Sequence, residues 1–253
     1  MFSALRVLGS QGRQYIVDVR QAQLNGFRGR PVITQRPCAP DCNACVASCP
    51  TAAITQAPLA LDLGRCVFCG ECALACPEGK IGFTTDYRMA SGRRDTLVVR
   101  EAHAEPPAVD VSAALKKLFG RSLKMRSVST GGCNACELEL NALGNVNFDL
   151  GRYGIEFVAS PRHADALVLS GPLTRNMGEA LDLCYAGMPE PRFVISVGAC
   201  AISGGLYDGS PALEREFLSR FTPSLYVPGC PPHPLTFVNG ILDLLGIALP
   251  ARG

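Results

Sequence analysis

The chain has 253 residues, 47% of them hydrophobic, with 24 basic against 22 acidic side chains, a length that suits two modest domains or one large one. The near balance of charge disfavours a general nucleic-acid binder, and no uninterrupted apolar run reaches the ~18 residues of a membrane-spanning helix. Thirteen cysteines suggest metal ligation rather than disulfides: the count is odd, windows such as CVFCGEC crowd three together, and MFSALRVLGSQGRQ is too short and interrupted for a secretory leader, so a reducing cytoplasm is expected.

The first half of the chain consists of short apolar stretches broken by Pro and Gly, with little room for long helices or strands. Eight cysteines lie between Cys38 and Cys76. Cys42, Cys45 and Cys49 recur 27 residues later as Cys69, Cys72 and Cys76, and Pro50 and Pro77 follow the last of each run. The repeat predicts two similar halves about a pseudo-twofold axis. Cys66, Cys69, Cys72, Cys76 and Pro77 form the C-x2-C-x2-C-x3-C-P run of bacterial [4Fe-4S] ferredoxins. Three thiolates two residues apart wrap one cubane, with loop N–H groups aimed at its sulfides. The fourth cysteine, expected to start a short helix facing away, reaches the other cluster. This places Cys66, Cys69, Cys72 and Cys49 on one cluster, and Cys38, Cys42, Cys45 and Cys76 on the other. Structural zinc sites usually pair two CxxC elements a dozen or more residues apart, which fits these runs poorly. The first run has three residues between Cys38 and Cys42 instead of two. Either the Pro40-Asp41 loop bulges outward and Cys38 still ligates, or Cys38 falls short and a three-iron form results.

Residues 96–125 read as a linker, bounded by the Pro106-Pro107 pair. Within VSAALKKLFGRSLKMR, helical spacing sets Val111, Leu115, Leu118 and Phe119 on one face. Lys116, Lys117, Arg121, Lys124 and Arg126 supply five cations and no acid. Such a helix either lies on a membrane or a membrane subunit or packs on its own domain with a solvated basic face. Next, GIEFVAS, ADALVLSG, RFVISVGAC and SLYVPGC read as buried parallel strands, alternating with helices over NACELELNAL and TRNMGEALDLCYAG. A last helix follows Pro234, with Leu235, Val238, Ile241, Leu242 and Leu245 on one apolar face.

Cys133, Cys136, Cys200 and Cys230 each follow a glycine or alanine at a strand end or helix start. Ligands of open α/β sheets gather at the carboxyl ends of the strands, so these four are expected at one edge as a third [4Fe-4S] site. A zinc or redox CxxC at Cys133 and Cys136 alone is the alternative. Cys184 is left over and is expected to pack in the core. His103 and His233 are not needed as ligands. With no P-loop and no dinucleotide-binding glycine turn, no direct NADH site is expected, and the chain has no nickel ligands of its own.

These motifs carry a resemblance. GGCNACELEL, SPRHADALVLSGPLTRNM, VGACAISGG and VPGCPPHP are similar, in order, to the small electron-transfer subunit of group 4 membrane-bound [NiFe] hydrogenases, formate hydrogenlyase among them. That family includes the 20 kDa B-type subunit of respiratory complex I, which carries adjacent cysteines where this chain has CxxC. The stretch from FRGRP to YRMA resembles the two-cluster ferredoxin-like subunit of the same complexes. The resemblance implies two fused subunits: an α+β ferredoxin-like domain over 28–95, a linker over 96–125, and an α/β flavodoxin-like domain with a mainly parallel sheet over 126–249. It implies an electron-transfer subunit without catalytic residues of its own, relaying electrons through three [4Fe-4S] clusters to or from a hydrogenase-like or complex I-like large subunit. Membrane subunits would complete the complex, at the inner face of the cytoplasmic membrane. A nickel-free or quinone-reducing partner and a free-standing ferredoxin carrier are the competing expectations. Glu139, better placed on its helix than Glu137, is a candidate proton relay, against an ordinary helix carboxylate. By the same resemblance Arg162, beside His163, would stabilise reduced cluster charge, against a solvated loop arginine.

Overall fold

A computed structural model describes residues 2–12, 14–101, 109, 112–119 and 122–247. Helix α1 (Phe2–Gln11) stands exposed. The following elements are short: β1 (Pro31–Ile33), α2 (Ala44–Ala47), β2 (Ile54–Thr55), β3 (Ala60–Asp62), α3 (Glu71–Ala75), β4 (Ile81–Phe83) and β5 (Val98–Arg100). Strand β1 pairs antiparallel with β4, and β2, β3 and β5 form a second antiparallel sheet.

The 27-residue repeat is visible in the backbone. Asp41 and Phe68, at equivalent places before Cys42 and Cys69, both adopt left-handed conformations, with φ of 54° and 55°. A non-glycine residue there costs about 1–3 kcal/mol, so the same costly turn in both halves reflects a required loop shape. The amides of Ala53 and Lys80, again 27 residues apart, each donate to the thiol four residues upstream, Cys49 and Cys76, both at 3.2 Å. The extra residue of the first run lies upstream of Asp41 and leaves this register intact. One expectation is corrected: Cys49 and Cys76 follow α2 and α3 instead of starting helices. The proline after each disfavours helical backbone at the cysteine.

Beyond the linker come α4 (Ala113–Phe119), β6 (Leu123–Ser129), α5 (Ala135–Ala142), β7 (Ile155–Phe157), β8 (Ala166–Ser170), α6 (Arg175–Ala186), β9 (Phe193–Val197), α7 (Gly198–Ser203), α8 (Glu216–Arg220), β10 (Leu225–Val227) and α9 (Pro234–Leu244). The strands form one parallel sheet in the order β10-β9-β8-β6-β7. Counted within this half the order is 2-1-3-4-5, a doubly wound α/β arrangement. Every residue of β8 and β9 is buried, as parallel strands covered on both faces require.

Two features depart from expectation. Strand β6 occupies sequence read as the end of a basic helix. Leu123 and Met125 are fully buried and alternate with Lys124 and Arg126, a period of two that a strand satisfies. Lys124 pairs with Glu156 at 3.5 Å. The five-cation helical face is therefore not formed. Lys116 and Lys117 remain on α4 with Leu115 half-buried and Phe119 buried, whereas Val111, Arg121, His103 and the Pro106-Pro107 pair lie outside the described residues. Helix α9, expected to show one apolar face, is buried from Pro234 through Leu242. The N-terminal half covers its other side: Asn239 Nδ2 donates to the Val19 carbonyl at 2.8 Å. Gly240 meets Ala90 so closely that an added Cβ would stand 2.5 Å from that of Ala90.

The two halves share their cores. Val19, Tyr87 and Ala90 pack with the residues of the parallel sheet, and Ile202 and Tyr226 pack into the N-terminal core. Ser91 and Tyr226 exchange two backbone hydrogen bonds, at 3.0 and 2.8 Å. Each apolar side chain buried across this seam contributes about 1.5–3 kcal/mol.

Candidate metal centres

Cys49, Cys66, Cys69 and Cys72 line one cavity, together with Thr51, Gly70 and Phe83. Burial, then the neighbouring charges of Cys72, Cys49 and Cys69, pushes the Cys66 thiol up to about 12 despite the Phe68 amide donating to its Sγ at 3.3 Å. Cys72 is pushed up to about 11 by burial, with Cys49 and Cys69 adding to it. Arg28 clamps the loop from outside, its Nη1 donating to the Phe68 carbonyl at 2.8 Å. In a second group, burial and the charges of Cys76 and Cys38 raise the Cys45 thiol. The last cysteine of each run thus stands with the other run. Cys38 is exposed but remains within electrostatic reach of Cys45 despite its longer loop. Cys42 is half-buried three residues before Cys45, and its carbonyl accepts from the Gln56 side chain.

The other four cysteines meet at the carboxyl edge of the parallel sheet. Cys133 follows β6, Cys136 lies in the first turn of α5, Cys200 lies in α7 directly after β9, and Cys230 follows β10. Burial, then Glu137, Cys200, Cys230 and Cys133, pushes the Cys136 thiol up to about 12. Cys200 is pushed up to about 11 by burial, Cys230 and Cys133, with Arg215 pulling the other way. Cys230 is raised by burial and by Cys133. Local chain geometry makes this meeting possible. Asn134 turns the chain between its two cysteines with φ of 62°. Gly198 has φ of +87°, and a Cβ there would lie 2.7 Å from Cys136 Sγ, so glycine alone fits. The Ala199 amide donates to the Gly229 carbonyl at 2.9 Å and ties the Cys200 turn to the Cys230 loop.

Among the described residues no three His, Cys, Asp or Glu side chains converge tightly enough to grip a single metal ion. The thiols gather in three neighbourhoods instead, the two N-terminal ones near enough for Cys45 to raise Cys72. As thiolates they would repel one another in buried surroundings, and a positively charged iron core is the partner that offsets this. The amides of Ala53, Phe68 and Lys80 aimed at thiol sulfurs are the donors that ligating thiolates receive. The residues present fit iron–sulfur clusters.

The remaining candidates separate. Burial pushes the Glu137 carboxyl up, but hydrogen bonds from Ser129 and Ser170, the latter at 2.7 Å, outweigh it and leave the group lowered. Glu139 is half-buried and raised by burial alone. Arg162 is exposed in a 3-10 turn (Pro161–His163) leading into the amino end of β8. That is the edge opposite the cysteines, so its expected position beside the C-terminal site is corrected: the chain must cross the length of β8 before reaching the cysteine edge. His233 caps α9, its Nδ1 accepting from the Leu235 amide at 3.1 Å between the rings of Phe27 and Phe148. Cys184 is half-buried against the core of Leu167, Leu181 and Val194.

Sequence reasoning passed over Arg215, an arginine in a charged stretch with no motif to mark it. Its Nη1 donates to the carbonyls of Cys200 at 3.1 Å and Pro172 at 3.3 Å, and its Nη2 to that of Ala201 at 2.7 Å. It also passed over the contact between the Cys66 and Cys200 loops. A Cβ on Gly64 would stand 2.7 Å from Ile202 Cγ2, and Arg65 pairs with Asp208.

Residues 133–244 match the family described as NADH ubiquinone oxidoreductase, 20 Kd subunit, and residues 59–79 match the 4Fe-4S binding domain. A probable membrane-bound hydrogenase subunit of Pyrococcus furiosus is 39% identical over 131 residues, 51% of this chain and 78% of that one. The B-type subunit of the NADH-quinone oxidoreductase of Geotalea daltonii is 41% identical over 115 residues, 46% of this chain and 67% of that one. Formate hydrogenlyase subunit 7 of Escherichia coli is 37% identical over 160 residues, 63% of this chain and 61% of that one. The chain belongs to the NADH ubiquinone oxidoreductase 20 kDa subunit family and carries a 4Fe-4S binding domain in its N-terminal half.

Proposed function

We propose that the chain is the electron-transfer subunit of a membrane-associated complex of the hydrogenase type, related to formate hydrogenlyase. In this reading a ferredoxin-like unit, 28–95, is fused through 96–125 to the 20 kDa-type unit, 126–249. Cys38, Cys42, Cys45 and Cys76 hold one [4Fe-4S] cluster, Cys49, Cys66, Cys69 and Cys72 a second, and Cys133, Cys136, Cys200 and Cys230 a third. Bound clusters supply reversible one-electron storage. The chain's own residues space the sites, bury part of each ligand set and donate hydrogen bonds to the thiolates. A large subunit holding the catalytic metal docks at the cysteine edge, and membrane subunits anchor the assembly at the cytoplasmic face. Glu139 moves protons beside that interface.

The observation that supports this reading is the gathering of eleven of these twelve cysteines into three neighbourhoods, with Cys42 three residues before Cys45, and the contact between the Cys66 and Cys200 loops through Gly64 and Ile202. Anaerobic purification followed by iron and sulfide analysis should give about twelve of each per chain. Cys200→Ser should reduce this to about eight. An unaltered count in that variant would remove the C-terminal site from the reading.

The similarity to the NADH-quinone oxidoreductase chain favours a second reading, in which the large subunit lacks nickel and reduces a quinone. The CxxC spacing of Cys133 and Cys136, by its resemblance to the hydrogenase branch, favours the first. Metal analysis of the co-purified large subunit separates them: nickel near one per complex is expected, and its absence would transfer the chain to the quinone branch.

A further inference from the structure

We propose that Arg215 is a positioning residue that raises the reduction potential of the C-terminal iron–sulfur site, both by holding the Cys200 turn and by keeping a fixed positive charge beside it. This rests on the reading that Cys133, Cys136, Cys200 and Cys230 hold a [4Fe-4S] cluster.

The guanidinium is half-buried, and its hydrogen-bond partners are three carbonyl oxygens, those of Pro172, Cys200 and Ala201. Carbonyls satisfy its donors without neutralising it, and arginine does not lose its proton in proteins. Two carboxylates lie at this seam, and each is engaged elsewhere. Asp208 pairs with Arg65, and Asp62 pairs with Arg94 at 2.6 Å. Arg65, Arg94 and Asp208 all lie within electrostatic reach of Arg215, as does the Cys200 thiol. The chain neighbours of Arg215, Glu214 and Glu216, likewise pair with Arg175 and Arg220, each at 4.0 Å, so each of these carboxylates has another cation as its ion-pair partner, and Arg215 is the cation bonded to the Cys200 backbone.

The position also has a mechanical side. Helix α7 is only six residues long, and the Cys200 and Ala201 carbonyls belong to its last turn, where a cation is favourable. Cys200 enters the site from the same turn, so Arg215 fixes the thiol through the backbone that carries it. Adding an electron to a four-thiolate cluster adds a negative charge. A fixed cation in surroundings less polar than water stabilises the reduced form more than the oxidised one. Arg215 thereby makes the C-terminal site a better electron acceptor than its burial alone would allow.

The test compares the wild-type complex, Arg215→Met and Arg215→Lys, each purified anaerobically, by redox titration followed with electron paramagnetic resonance. The two N-terminal clusters serve as references within the same sample. Arg215→Met is expected to keep its full iron and lower the C-terminal midpoint alone, by about tenfold in reduction equilibrium or 59 mV for one electron. Arg215→Lys, which keeps the charge but not the three-carbonyl fork, is expected to recover most of that shift. An unmoved midpoint in Arg215→Met with iron intact would overturn the proposal. So would equal shifts, or equal loss of about a third of the iron, in both variants, since either leaves only a structural clamp. Absence of a third cluster signal in the wild-type sample would instead defeat the ligand reading beneath it.

Discussion

The two halves of the molecule hold their thiols in opposite ways. In the N-terminal half the strands are two or three residues long, and Cys45, Cys66 and Cys72 are themselves members of the buried core. In the C-terminal half a five-stranded sheet and α9 build a core of Val168, Ile195, Phe237 and Ile241 whose buried members include no cysteine, Cys136 packing against it from the edge. There the site is attached at the rim. With its ligand cysteines inside the core, the N-terminal unit is expected to lean on bound metal for its fold, whereas the sheet is expected to stand without it. On the proposed ligand assignment, the same kind of ligand would be structural in one region and an attachment in the other.

The hardest test of this contrast is removal of iron. After anaerobic chelation, hydrogen exchange should show β1 to β5 losing protection while β8 and β9 keep theirs. Equal protection in both halves would break the comparison. Next in size is Gly198→Ala, which forces a Cβ against Cys136 Sγ from a left-handed backbone. It should remove about four of about twelve irons and leave the N-terminal clusters' resonance signals unchanged. Ile202→Ala tests the join: its side chain is 7% exposed, and truncation of a buried isoleucine costs about 2–5 kcal/mol. Thermal unfolding should become biphasic as the halves lose their shared packing. The smallest effect belongs to Arg65→Ala at the same seam. Its pair with Asp208 is partly exposed, at 30% and 46%, so a loss of about 1 kcal/mol or less is expected, shrinking further as salt is raised.

The same contrast governs what was legible in the sequence. The N-terminal groups are written in local spacing, and Cys49 stands near Cys66 and Cys72, with Cys76 near Cys45. The C-terminal group needed topology, which the glycine and alanine residues before each cysteine signalled. Strand β6 escaped notice because Lys124 and Arg126 interrupt its apolar side chains and lend it the look of a basic helix. The covering of α9 was illegible for another reason: Val19 and Ala90 lie far away in sequence, and nothing in a helix announces what packs against its polar side. Arg215 acts through carbonyl oxygens, which carry no residue identity, so no pattern search finds it. The Arg162 expectation came from loop resemblance and failed because a loop's motif does not say which edge of the sheet it joins.

The exchange of Cys49 and Cys76 between the repeated halves has a consequence for maturation. On the proposed ligand assignment neither half holds a complete ligand set on its own, so an iron cofactor seated in one half would depend on the other half being folded around it. Loading of this pair should be all-or-none across a population, with chains carrying eight irons or none in this region and few carrying four. A quality-control system inspecting either site would thereby learn the state of both.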